Sequence, residues 1–274
     1  MVRIQKGCFA VDVNKFYVNE NEKPLDNLVT DGGFAGIFRT IGCIGDSLSS
    51  GEFETKDEEG IVGYHDFYEY SWGQYMARTL GNKVFNFSRG GMTAKEFCES
   101  FAAKCGVYEP ENICQAYIIA LGQNDITRGY EIGDPEKINV KDGHVPGDGS
   151  MLSYIAQIVK MLKSKQPDAK IFLMTMPDAD NKTDERRQRE NEFCDAIRKF
   201  SDKTKNVYTL DIRKYFPPID RKFRETFWLG HMTPAGYLLF AKVVMSYIDY
   251  IIRNNHADFA QAGFIGTPYK YIKD

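Results

Sequence analysis

Five short apolar runs, each followed or preceded by an amphipathic stretch long enough for a crossover helix, constrain this chain more than any other feature. Phe38 to Ile44, Lys83 to Phe87, Ala116 to Leu121, Lys170 to Met176 and Val207 to Asp211 read as strands. Helices are expected over Ser71 to Leu80, over Thr93 to Ala103, and over Ser153 to Lys165, where Gln166-Pro167 stops the helix. Between Asp184 and Lys203, Phe193, Ala196, Ile197 and Phe200 recur at three and four residues and give one buried stripe. The last helix begins where Thr233 can cap free N–H groups and Pro234 occupies a position needing none, and it runs to about Asn254. The expectation is an α/β sheet.

Three segments fall outside that frame. Residues 1–37 form an N-terminal extension, in which Cys8 to Val18 could add a strand or hairpin; residues 38–254 form the main domain; residues 255–274 form a tail. Within the domain, residues 128–150 are rich in Gly, Pro and Asp and too long for a simple connection, so they read as a lid or a disordered insertion. With 43% hydrophobic residues the chain can bury a real core, and a net charge of -3 offers no basic footprint for nucleic acid or an anionic membrane. The six cysteines are scattered, without C-x-x-C or zinc-finger spacing, and read as reduced thiols. Neither a signal-like apolar segment nor an 18-residue apolar span is visible, which points to a cytoplasmic protein. Oligomeric state is not legible.

Chemistry gathers at the carboxyl ends of these strands, where open α/β sheets bind ligands. Gly45-Asp46-Ser47-Leu48 follows the first strand and presents a serine hydroxyl, a poor nucleophile unless a base takes its proton. Of the four histidines, His231 lies just before the last helix, where a loop can return it to the sheet edge. Gly122-Gln123-Asn124-Asp125 ends the third strand and offers the Asn124 amide to a developing oxyanion. Ser88-Arg89-Gly90-Gly91 ends the second strand with a backbone that a substrate can approach, and Gly91 is the preferred donor, with Gly90 as the alternative. Taken singly, these segments have ordinary readings as capped turns, loops and helix starts. None of those readings explains all four in this order.

The four segments resemble the sequence blocks of the GDSL-like lipase and acylhydrolase family, or SGNH hydrolases, over about Ile41 to Ile252. The resemblance implies a flavodoxin-like three-layer α/β/α sandwich, with a central five-stranded parallel sheet of order 2-1-3-4-5. It implies Ser47 as nucleophile, His231 as general base, and an oxyanion hole of the Ser47 N–H, the Gly91 N–H and the Asn124 side chain, with Asp46 and Asp125 beside the site. The family carries Asp three residues before the histidine, and this chain has Trp228 there. Two substitutes compete: a backbone carbonyl on Nδ1, which is favoured, or Glu225 reaching back along the loop.

The implied activity is cleavage of short-chain acyl esters through an acyl-serine, with acetylated carbohydrates the favoured substrates by likeness to bacterial members. Lysophospholipids, thioesters, acyl transfer on the same site and a non-catalytic carbohydrate-binding descendant are the alternatives. No cofactor or metal is expected, since no phosphate loop, dinucleotide fingerprint or H-E-x-x-H is present. Tyr64, Phe67, Tyr68, Tyr70 and Trp72 form an aromatic cluster that either lines a pocket or packs in the core.

Overall fold

The computed structural model describes residues 17–272. Nine strands occur among them: β1 Thr40–Gly45, β2 Glu52–Lys56, β3 Val62–Asp66, β4 Lys83–Ser88, β5 Ala116–Ala120, β6 Lys170–Met174, β7 Val207–Leu210, β8 Trp228–Leu229 and β9 His231–Met232. Five make one sheet in the order β4-β1-β5-β6-β7, with every neighbour parallel. These are the five apolar runs, and their spatial order is second, first, third, fourth, fifth, as the resemblance implies.

Alternation along the strands divides the core in two. On β5, Tyr117 and Ile119 enter one cluster, with Ile155, Val159, Phe193 and Phe200 of the Met151–Lys165 and Asp184–Asp202 helices. Ala116 and Ile118 face the other way, into a cluster with Trp72 and Met76 of the Trp72–Leu80 helix and Val244 and Ile248 of the Pro234–Asn254 helix. A sheet with helices on both faces is the three-layer sandwich, and each large side chain fully buried there contributes about 1.5–3 kcal/mol. The helix starts are fixed by hydroxyls: Ser71, Ser150, Thr183 and Thr233 each accept from the backbone N–H three residues on. The Pro234–Asn254 helix is long and apolar enough to cross a membrane by composition, yet most of it is buried inside this fold.

The extra segments differ from the simplest sequence expectations. Of the stretch Cys8 to Val18, all but Tyr17 and Val18 lies outside the described residues; residues 17–37 form turns and the short 3-10 helix Gly33–Ile37, with no strand among them. They are pinned to the last helix, where Ser246 and Asp249 accept the Val29 and Phe34 N–H groups and Arg253 pairs with Glu22. Residues 128–150 are ordered onto the helical layer: Met151 and Leu152 donate to Glu131 and Ile132 carbonyls, and Ile138 is buried. The tail docks beneath the sheet, where Gln115 donates to the Ala262 and Ile265 carbonyls. Two hairpins, β2–β3 and β8–β9, extend the fold beyond the five expected strands.

Candidate active site

Ser47 opens a single helical turn, Ser47–Ser50, directly after β1. Its neighbour Asp46 caps that turn by accepting the Leu48 N–H at 3.2 Å, and accepts the Asn124 side-chain amide at 3.3 Å. Asp46 is only 5% exposed. Burial pushes its carboxyl up to about 7, against the Leu48 hydrogen bond and helped by the nearby Asp125 and Glu52 charges. The turn is therefore built around a carboxyl whose charge is costly.

Asn124 sits in the Gln123–Thr127 turn after β5, and its amide also donates to the Met92 carbonyl at 3.1 Å. That bond ties it to the loop after β4. Asp125, fully buried, accepts the Ala94 N–H with both carboxylate oxygens, at 3.0 and 3.1 Å, so it fastens the end of the same loop. Burial raises the Asp125 carboxyl above its ordinary range, opposed by those backbone N–H bonds. Gly91 has φ of 70°, the left-handed conformation that glycine adopts without strain. It does not line the cavity that holds Ser47, Asn124 and His231; it lines a second, more open one with Arg89, Lys95 and Arg128.

His231 begins β9, one residue beyond the Gly230 turn from β8. Its ring is 17% exposed and lies between two carboxylates of β2, with Nε2 3.1 Å from Glu52 Oε1 and Nδ1 3.6 Å from Glu54 Oε2. Nδ1 is buried and makes no hydrogen bond. Burial raises the Glu52 carboxyl, while His231 opposes the rise and Asp66 and Glu54 add to it. Neither substitute expected for the missing acid is in place. Glu225 is exposed and paired with Arg221 at 2.7 Å on the outer Arg221–Phe227 helix, one turn apart, and no backbone carbonyl bonds to Nδ1. Trp228 instead lines the cavity and donates its indole N–H to the Gly230 carbonyl at 2.6 Å.

Sequence reasoning did not find Glu52 and Glu54. The only signal was Glu-Phe-Glu, whose alternation puts both acids on one face of a strand. Of the aromatic cluster, Trp72 is buried and lines the cavity, Tyr68 donates to the Val84 carbonyl, and Tyr64, Phe67 and Tyr70 are exposed. Tyr64 stands edge-on to His231, with ring centres 6.0 Å apart.

The cavity shared by Ser47, Asn124 and His231 has a volume of about 320 Å³. Much of the lining is apolar: Leu48, Trp72, Met174, Met176, Met232 and Phe240. The lining also includes Pro177, Asn181 and Lys182. Behind it the fully buried Glu190 accepts from Lys182 at 2.6 Å, Arg186 at 2.8 Å and Arg213 at 2.9 Å. Among the described residues no group of His, Cys, Asp and Glu is arranged to hold a metal ion.

A serine turn, an amide and a histidine brought to one cavity at the carboxyl edge of a parallel sheet are the arrangement expected of an α/β hydrolase. Residues 43–239 match the model of the GDSL-like lipase/acylhydrolase family, and the chain belongs to that family. None of the curated proteins matches it. Among solved structures, the fold is shared with a family two carbohydrate esterase from Clostridium thermocellum in complex with cellohexaose, at 15% identity and a TM-score of 0.54, over 80% of this chain and 65% of that one. It is shared too with a carbohydrate esterase family 2 enzyme plus carbohydrate-binding domain from Corynascus thermopiles, at 17% identity and a TM-score of 0.51, over 82% and 67%. A possible lipase from Chitinophaga pinensis, at 14% identity and a TM-score of 0.53, covers 79% of this chain and 98% of its own length.

Proposed function

We propose that this hydrolase cleaves acyl esters through a covalent acyl-serine on Ser47, with His231 as general base. The observation that carries the reading is the single cavity lined by Ser47, Asn124 and His231. Ser47 Oγ attacks the ester carbonyl carbon as His231 takes its proton; the oxyanion is held by backbone N–H groups and the Asn124 amide; His231 then protonates the leaving alcohol. Water repeats the sequence to release the acid. In the resting site both Asn124 donors and His231 are engaged elsewhere, so substrate entry exchanges those contacts for its own.

The favoured substrate is an acetylated carbohydrate. Two proteins that share the fold are carbohydrate esterases, and the exposed Tyr64 ring stands edge-on to His231, where apolar surface marks a binding face. A longer acyl chain is the second reading, since the cavity is larger than an acetyl group requires and is walled by methionines that adapt to varied shapes. A fluorophosphonate probe should label Ser47, identified by peptide mapping; labelling elsewhere, or none in a protein that still turns over ester, overturns the mechanism. A series of p-nitrophenyl esters from acetate to octanoate, run beside acetylated oligosaccharides, separates the two substrate readings.

A further inference from the structure

The β2–β3 hairpin places a carboxylate where the histidine loop lacks one. Alternation puts Glu52 and Glu54 on one face of β2 and Phe53 on the other. Phe53 is held by the Phe67, Tyr70 and Tyr237 rings at 5.7, 5.6 and 5.8 Å, and Tyr237 donates its hydroxyl to the Glu52 carbonyl at 2.8 Å. At the base of the hairpin the Ser50 hydroxyl donates to Asp66. The strand is thus fixed to the nucleophile turn at one end and to the Pro234–Asn254 helix along its apolar face. Its acidic face has one orientation, and His231 lies on it.

The histidine loop is shaped to admit this face. A Cβ on Gly230 would lie 2.1 Å from the Glu54 carboxylate, and Gly230 has φ of 72°, so glycine meets both requirements. Nδ1 of His231 is closed off from solvent without a hydrogen bond, and Glu54 Oε2 is 3.6 Å away. A buried ring nitrogen left unpaired is costly, and a shift of about 0.6 Å would bring the pair to hydrogen-bond length.

We propose that Glu54 is the positioning residue for His231, replacing the acid absent at position 228. It accepts the Nδ1 proton, selects the tautomer whose Nε2 is free to act on Ser47, and stabilises the imidazolium formed when that proton is taken. Glu52 now engages Nε2, a contact that has to be released before Nε2 can take the Ser47 proton. The groups facing the ring are then Glu52, Glu54 and Tyr64 from the hairpin, with the Asp66 charge behind them.

This rests on the Ser47–His231 reading, which Ser47→Ala and His231→Ala test separately: if those variants stay active, that reading fails whatever Glu54 does. Given their loss of activity, Glu54→Gln should lower kcat about a hundredfold or more with little change in KM, because the carboxylate acts on the charged transition state. Trp228→Asp, which restores the family's acid position, should recover part of that loss. In proton NMR, a low-field Nδ1–H resonance of His231 should be present in the native protein and lost in Glu54→Gln, a readout that does not depend on turnover. A Glu54→Gln enzyme within about threefold of native kcat overturns the proposal, since general acid–base partners contribute far more. So does a folded Glu52→Gln variant that shows the hundredfold loss while Glu54→Gln does not.

Discussion

The two halves of the candidate site are built on different principles. Ser47 and Asn124 each follow a central strand of the parallel sheet within a few residues, so the sheet's hydrogen bonds set their spacing. His231 is brought in by β8–β9, two strands of two residues each, and its partners come from β2–β3, a hairpin outside the sheet. The first half is rigid because its framework is the core. The second is fixed by an aromatic anchor at Phe53, by Ser50 on Asp66, and by a glycine turn. A single fold thus carries a candidate site whose serine and amide come from the sheet and whose histidine is attached to it.

The sharpest way to break this division is Ser47→Ala, expected to cost about 10⁴-fold or more in kcat for a nucleophile that acts as part of a unit. Residual hydrolysis close to native, measured with p-nitrophenyl acetate, would move the chemistry off the sheet half. Asn124→Ala should cost about 3 kcal/mol of transition-state stabilisation, near a hundredfold in kcat. A loss below threefold in the folded protein would leave Asn124 as only a strut between Asp46 and Met92.

Gly90 is where the halves meet, since a Cβ there would lie 2.0 Å from Glu52 Oε2. The carboxylate end of Glu52 is flexible, so Gly90→Ala should displace it without unfolding the protein. A coupling of about 1 kcal/mol, near fivefold in kcat, is expected between Gly90→Ala and Glu52→Gln in a double-mutant cycle. Strict additivity would show that the halves do not communicate there.

Asp46 gives a pH-dependent contrast. Its carboxyl rises from 3.8 to about 7 in the folded protein, so the folded state holds a proton that the unfolded chain releases. Its contribution to stability is present below the unfolded value and is lost as pH rises through the folded one. Asp46→Asn should therefore raise Tm at pH 8 by about 2–4 °C for each kcal/mol relieved, with the gain vanishing toward pH 4. A lower Tm at pH 8 would mean that the bonds to Leu48 and Asn124 outweigh burial. The smallest effect belongs to Glu225→Gln, within about 0.5 kcal/mol in stability and with kcat nearly native, because its ion pair with Arg221 is exposed.

Legibility in the sequence follows the same division. The five central strands announce themselves as apolar runs, and Ser47 and Asn124 lie so near their ends that chain position brings both to one cavity, whereas Gly91, as near the end of β4, lines a separate one. β2 has one apolar residue among Glu52, Phe53, Glu54, Thr55 and Lys56, so its acids read as solvated charge until Phe53 is seen anchored. Glu225 drew attention because it is close to His231 in the chain, yet the Arg221–Phe227 helix turns it outward. Residues 128–150 look unstructured by composition, but their backbone groups are tied to Met151 and Leu152, a pairing no local pattern announces.

The cavity beside Ser47 is lined by pliant residues and by stiff ones, and this bears on how such an enzyme can change over generations. Met174, Met176 and Met232 can be exchanged for other apolar residues of similar size at small cost, so the pocket can be reshaped there by single steps. Lys182 also lines it, held by Glu190, which Arg186 and Arg213 also grip, and loss of Glu190 would leave three cations without their shared buried carboxylate. Variation in the cavity's shape is therefore channelled to the methionines, while the ionic cluster around Glu190 keeps its place through the change.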